Sequence, residues 1–271
     1  MTSAPVFEAR SLSYSYPGNI PALSQVNLTI QQGEMVALLG ANGSGKSTLL
    51  KLMDGLVFPS SGELFAFGRT LSEKALKDGA FVLEFRRKVG LVFQDADVQL
   101  FSPTVWDEVT FGPLQLGIPR DEVVRRAEDV LKLLEIEHLR ERPPYRLSGG
   151  EKKKVSLASV LSMHPEVLLL DEPTAGLDPW SQGNLIDFLM RWPDQGKTVI
   201  FSTQDLDVVE EVASRAVVLG TGHNLVADDR PGKFLSDPDF LLRTNLVHEH
   251  SHRHHELVHR HPHVHEHEHE H

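Results

Sequence analysis

The apolar run Met35-Val36-Ala37-Leu38-Leu39 stops at the glycine-rich octet Gly40-Ala41-Asn42-Gly43-Ser44-Gly45-Lys46-Ser47, and the stretch Thr48-Leu49-Leu50-Lys51-Leu52-Met53 follows it. A short unbroken apolar run reads as a strand buried on both faces, and Thr48–Met53 reads as a helix. The octet fits G-x-x-x-x-G-K-[ST]. Its glycines let backbone N–H groups wrap an anion, the helix N-terminus favours negative charge, the lysine reaches the outer phosphates and the hydroxyl serves Mg²⁺. Strand, turn and helix in this order require an α/β core with a nucleotide beyond the strand's C-terminal end. Gly40, Asn42, Gly43, Ser44, Gly45, Lys46, Ser47 and Thr48 are the candidate nucleotide ligands.

The rest of the chain can be divided around that core. Residues 6 to 39 read as short strands broken at Pro17-Gly18 and Gln32-Gly33, and further strands are predicted at 90–93, 167–170, 198–202 and 217–219. Val123, Ala127, Val130 and Leu134, with Val124 and Leu131 beside them, predict an amphipathic helix over 121–139. Pro143-Pro144 breaks the chain, and a second helix is predicted from Ser148 to about Met163. These helices define a helical insert over about 95–163 within a domain at 1–247. Beyond it, 12 of the 15 histidines fall in His248–His271, and this composition predicts a disordered tail.

Composition narrows the function classes. A net charge of −11 argues against a nucleic-acid partner, and the absence of cysteine excludes disulfides, thiolate metal sites and cysteine nucleophiles. No apolar run is long enough to span a bilayer and the N-terminus has no signal-peptide pattern, so the expectation is a cytoplasmic chain that meets membranes through a partner.

Two further constellations carry chemistry. Val167-Leu168-Leu169-Leu170-Asp171-Glu172 ends a buried strand in two carboxylates, with Asp171 suited to Mg²⁺ through water and Glu172 to polarising an attacking water. In Leu147-Ser148-Gly149-Gly150-Glu151, Ser148 and Glu151 match a capping box. The same glycine-flanked helix start also suits a second anion site. Spacing leaves both readings open.

Taken in order, Gly40–Ser47, Gln94, Leu147–Glu151, Val167–Glu172 and Ala175-Gly176-Leu177-Asp178 resemble the ATP-binding subunits of ABC transporters over about residues 6 to 226. The resemblance implies a P-loop NTPase fold with an N-terminal antiparallel β-sheet and a helical insert, binding ATP and Mg²⁺. It also implies a second ATPase subunit, with a homodimer the simplest case, in which Ser148, Gly149 and Gly150 meet the γ-phosphate of the opposite site and Asp178 lies at the seam. Tyr16, with Tyr14 as competitor, matches the aromatic that stacks on adenine. Gln94 would sense the attacking water, complete the Mg²⁺ set with Ser47 and Asp171, and link to a membrane subunit. Glu172, Gln94 and Gln204 are thus the catalytic candidates. At Gln204 the family carries histidine, and glutamine cannot take a positive charge.

Phe93–Phe101 and Thr104–Pro113 resemble the energy-coupling-factor importers, where Val98, Leu100, Phe101 and Val105 would line a groove for a membrane subunit; a core role is the alternative. The histidine-rich end resembles the cobalt/nickel branch (CbiO/NikO type). It makes His263, His265, His267, His269 and His271 candidate Ni²⁺ or Co²⁺ ligands, with an affinity tag as the plainer reading. The implied function is a peripheral ATPase on the cytoplasmic face of the cell membrane, energising a cobalt or nickel importer through integral membrane coupling and substrate-binding subunits. The alternatives are a nucleotide-gated binding module slowed by Gln204, a metal-storage or metal-sensing protein, and an importer of another cargo.

Overall fold

Strands β1 (Phe7–Tyr16) and β2 (Ile20–Ile30) form a hairpin across Pro17-Gly18, and β3 (Met35–Leu39) leads through the glycine octet into helix α1 (Lys46–Met53). The computed structural model describes residues 5–192, 196–254 and 257–264, with backbone alone from 248 onward. Strands β4 (Ser61–Ala66) and β5 (Arg69–Thr70) complete an antiparallel sheet in the order β2-β1-β4-β5. Helix α2 (Gly79–Lys88) then leads into β6 (Val89–Val92).

The helical insert holds three α-helices where the sequence reading has two. Its first helix, α3 (Val105–Gln115), was not predicted, because Gly112 and Pro113 interrupt its helical pattern; Thr104 caps it by accepting from the Asp107 N–H at 3.1 Å. Helix α4 (Arg120–Leu133) stops six residues short of the predicted end: Glu135 takes a left-handed φ of 59°, and a short 3₁₀ turn covers Glu137–Leu139. Helix α5 (Gly149–Leu161) starts where predicted.

Strand β7 (Val167–Asp171), helix α6 (Pro179–Arg191), strand β8 (Thr198–Ser202), helix α7 (Leu206–Val212) and strand β9 (Arg215–Leu219) follow, with β10 (Leu225–Asp229) and helix α8 (Pro238–Arg243) beyond them. The main sheet runs β10-β9-β3-β8-β7-β6, parallel from β9 through β6, with β10 antiparallel on the edge. Alternate residues of β3 serve two cores: Met35, Ala37 and Leu39 pack on the side of α4–α6, Val36 and Leu38 on the side of α1 and the antiparallel sheet. Strand β7 divides the same way, Leu168 and Leu170 against Val167 and Leu169. Burial on both faces is why these strands read as unbroken apolar runs. Parallel pairing brings their C-terminal ends to one edge.

Leu246 and Val247 are buried in the first of these cores. From there β11 (Val247–His254) and β12 (Leu257–Val264) pair antiparallel, with His248 opposite His263, His250 opposite His261 and His252 opposite His259. Most of β11 and all of β12 fall within the histidine-rich segment 248–271. Backbone pairing needs no apolar core, and a residue pattern repeating every second position suits extended chain. Residues 255–256 and 265–271, with His265, His267, His269 and His271, lie outside the described residues. Among the described residues, no helix is long and apolar enough to cross a membrane.

Candidate nucleotide site

The C-terminal ends of β3, β7 and β8 frame an open cleft of about 500 Å³. Tyr16, Asn42, Gly43, Ser44, Gly45, Lys46, Ser47, Thr48, Gln94, Glu172 and Gln204 all line it. The loop's shape depends on glycine: Gly45 has φ 111°, and a Cβ there would lie 2.2 Å from the Ala22 carbonyl oxygen. Gly45 also stands at the N-cap of α1 without a side-chain cap, leaving that terminus open toward an anion. Lys46 folds back onto the loop, its Nζ donating to the carbonyl oxygens of Gly40 at 2.7 Å and Ala41 at 3.3 Å. Burial lowers its pKa, against the pull of Glu172 and Asp171. The Ser44 hydroxyl is buried without a partner among the described residues, a polar atom that a phosphate oxygen would satisfy. Tyr16 places its hydroxyl 3.0 Å from Thr48 Oγ1, and Tyr14 packs edge-on against its ring at 5.1 Å.

On the opposite wall, Asp171 Oδ1 accepts from Ser47 Oγ at 2.9 Å and from Ser202 Oγ at 2.6 Å. A carboxylate and a hydroxyl oxygen from two elements, with Gln94 lining the same cleft, form a hard-oxygen donor set of the kind Mg²⁺ takes. Glu172 follows with a left-handed φ of 46°, rare for a non-glycine residue, and its N–H donates to Ser202 Oγ at 2.9 Å. Burial raises the Glu172 pKa above the ordinary carboxylate range, opposed by Lys46. A carboxylate so placed is a stronger proton acceptor. Gln204 Nε2 donates to Asn42 Oδ1 at 2.6 Å, tying the end of β8 to the glycine loop.

The remaining sequence candidates lie apart. Ser148 forms the full capping box: its hydroxyl oxygen accepts from the Glu151 N–H at 3.3 Å, and its own N–H donates to Glu151 Oε2 at 2.8 Å. Gly149 and Gly150 open α5 outside the cleft. Asp178 caps α6, its carboxylate accepting from the Ser181 N–H at 3.0 Å and the Ser181 hydroxyl at 2.6 Å. Gly40 and Gln204 also border a neighbouring cleft with Asn245, Leu246 and Val247. Val105 is buried, Leu100 is partly buried, and Val98 and Phe101 are each 68% exposed, with Phe101 edge-on to Phe111 at 5.0 Å. Among the described residues, no group of three or more His, Asp or Glu side chains forms a metal site.

Three participants escaped sequence reasoning: Ser202, His223 and Lys153. Ser202 braces Asp171, and its signal was its position at the end of the strand beside β7. His223, in the turn before β10, lines the cleft, and no pattern in the sequence marks it. Lys153 lies behind Gln94, one turn into α5.

The family model described as ABC transporter matches residues 23–175. The nickel import ATP-binding protein NikO of Rhodobacter capsulatus is 50% identical over 80% of this chain and 87% of its own length. The energy-coupling factor transporter ATP-binding protein EcfA of Methanothermobacter thermautotrophicus is 42% identical over 89% of this chain and 76% of its own. Among solved structures, cbiO1 of Clostridium perfringens, described as part of the ABC transporter complex cbiONQ, superposes with a TM-score of 0.74 at 35% identity, covering 90% of this chain and 95% of that one.

Proposed function

The chain belongs to the ABC transporter ATP-binding family, and on that premise we propose that it drives a membrane importer of cobalt or nickel ions. It is an ATP-hydrolysing subunit of the energy-coupling-factor type. The observation that carries the reading is the cleft itself, which brings the anion loop, Gln94 and the carboxylate end of β7 together in one chain. In this reading Lys46 and the amides at the start of α1 bind the phosphates, Tyr16 faces the base, and Ser47, Asp171 and Gln94 hold Mg²⁺. The ion, when bound, neutralises charge on the phosphate oxygens. Glu172 accepts a proton from the attacking water, and Gln94 orients that water.

Members of this family act in pairs beneath membrane subunits. Ser148, Gly149 and Gly150 lie outside their own chain's cleft, which supports their serving the site of a second copy, with Asp178 at the seam. Val98 and Phe101 offer apolar surface to a membrane partner, so the chain sits peripherally on the cytoplasmic face. Residues 1–247 form the ATPase domain, and the histidines of 248–271, His263, His265, His267, His269 and His271 included, form a Ni²⁺- or Co²⁺-binding segment. The nickel-import relative supports that cargo; the energy-coupling relative leaves room for another.

The test is uptake of radiolabelled Ni²⁺ and Co²⁺ by cells carrying this chain or its Glu172→Gln variant, with the co-purifying membrane proteins identified. Loss of metal uptake in the variant is the expected result. Unchanged metal uptake would assign the chain to another cargo.

A second reading has its own observation. Gln204 is a neutral amide already bonded to Asn42, which favours a nucleotide-gated module that closes on ATP and hydrolyses it slowly. If so, Gln204→His raises single-turnover phosphate release by about tenfold or more, equivalent to ~1.4 kcal/mol of barrier, at little changed ATP affinity. Equal rates would show that glutamine suffices.

A further inference from the structure

Lys153 has no part in the roles above, yet it is an ammonium only 6% exposed behind the cleft. Its Nζ donates to the carbonyl oxygens of Phe93 at 3.1 Å and Gln94 at 3.0 Å, and reaches that of Asp171 at 3.4 Å. A buried cation must exchange its water shell for protein oxygens, and here those oxygens come from two separate elements. Two belong to the turn that carries Gln94, and one to the end of β7 that carries Asp171 and Glu172. Lys153 itself belongs to α5, whose N-terminus is Ser148–Gly150.

Other contacts join α5 to the same turn. Lys152 Nζ meets Asp97 at 2.6 Å. Gln99 accepts from the Phe93 N–H at 3.1 Å and donates to the Ser156 carbonyl oxygen at 2.9 Å. These two bind α5 to the turn alone. Lys153 is the member of the set that also reaches the catalytic strand.

We infer that Lys153 is a positioning residue for ATP hydrolysis, holding Gln94 and the Asp171–Glu172 strand end in register with α5. A displacement of the Ser148–Gly150 terminus is then transmitted to the groups that face water in the same chain. The inference rests on the roles given to Gln94 and Glu172 under the proposed function.

The test uses the full chain and reads MgATP turnover, ATP affinity and thermal midpoint for Lys153→Met, Lys153→Arg, Gln94→Ala and the Lys153→Met/Gln94→Ala pair. The methionine variant should lose about tenfold or more in kcat with affinity within about twofold. Arginine, which keeps the donors and the charge, should recover most of the loss. In the Gln94→Ala background the methionine change should cost less than about threefold, because the two residues act through one arrangement. Lys153→Gln carries the same comparison if the methionine variant does not fold. The inference is overturned by a full tenfold loss in that background, or by kcat, affinity and thermal midpoint falling together without rescue by arginine. Parent-rate hydrolysis by both Gln94→Ala and Glu172→Gln would instead refute the roles of those two residues, and this inference with them.

Discussion

Two carboxylates, one half-buried and one buried, illustrate how little of a residue's behaviour is set by its type. Glu172 is held in a left-handed backbone conformation at the mouth of the cleft, and burial raises its pKa. Glu172→Gln should keep ATP affinity and lower hydrolysis by about 100-fold or more, since an amide cannot accept the proton. Phosphate release and nucleotide calorimetry on one preparation check both halves. Asp54, at the C-terminal cap of α1, is buried against Arg86 at 2.9 Å, with its other oxygen unpartnered among the described residues. Burial, opposed by Arg86, pushes its pKa up to about 6. Folding therefore favours the protonated form, so the stability Asp54 lends is fullest below the ordinary carboxylate pKa and is lost as pH climbs through about 6. An asparagine in its place has no proton to lose over this range. The thermal midpoint of Asp54→Asn relative to the parent should thus rise between about pH 4.5 and about pH 7.5, and a flat difference would remove Asp54 from the pH response.

At the scale of elements, helix α5 is organised by its first turn. The Ser148–Glu151 capping box satisfies N–H groups at its N-terminus, so Ser148→Ala should cost about 1 kcal/mol and lower the thermal midpoint by roughly 2–4 °C without nucleotide. An unshifted melting curve would mean the cap contributes nothing measurable. Strands β3, β7 and β8 were legible in the sequence because a strand buried on both faces is an unbroken apolar run. Helix α3 was not, because Gly112 and Pro113 interrupt its pattern, and the end of α4 was missed because the apolar spacing continues past the turn at Glu135. The loop residues and Asp171–Glu172 were legible from local spacing. Ser202 and Lys153 were not: what they touch depends on which strand lies beside which, and local periodicity does not encode that order.

At the scale of the whole molecule, the ATPase body and its histidine-rich end meet at Val247, which is buried with the core while the residues after it pair among themselves. Truncation after Val247 should leave thermal midpoint and ATP affinity unchanged and remove most Ni²⁺ and Co²⁺ binding. That binding should weaken between about pH 7.5 and about pH 5.5 as protons compete for imidazoles of pKa about 6.5. Metal titration of both chains at both pH values checks this; equal stoichiometry would place the metal elsewhere. The strand order has a consequence of its own. Because β8 lies between β3 and β7, the strands that carry the phosphate loop and the carboxylates are set two inter-strand steps apart, roughly 10 Å, and the Ser47–Asp171 hydrogen bond bridges them. That span is quantised: hydrogen-bonded backbones allow it to change only by a whole strand, so point substitution cannot widen or narrow it. Differences in speed between chains sharing this frame must then arise from the side chains set upon it, and Gln204 stands just past the end of the middle strand.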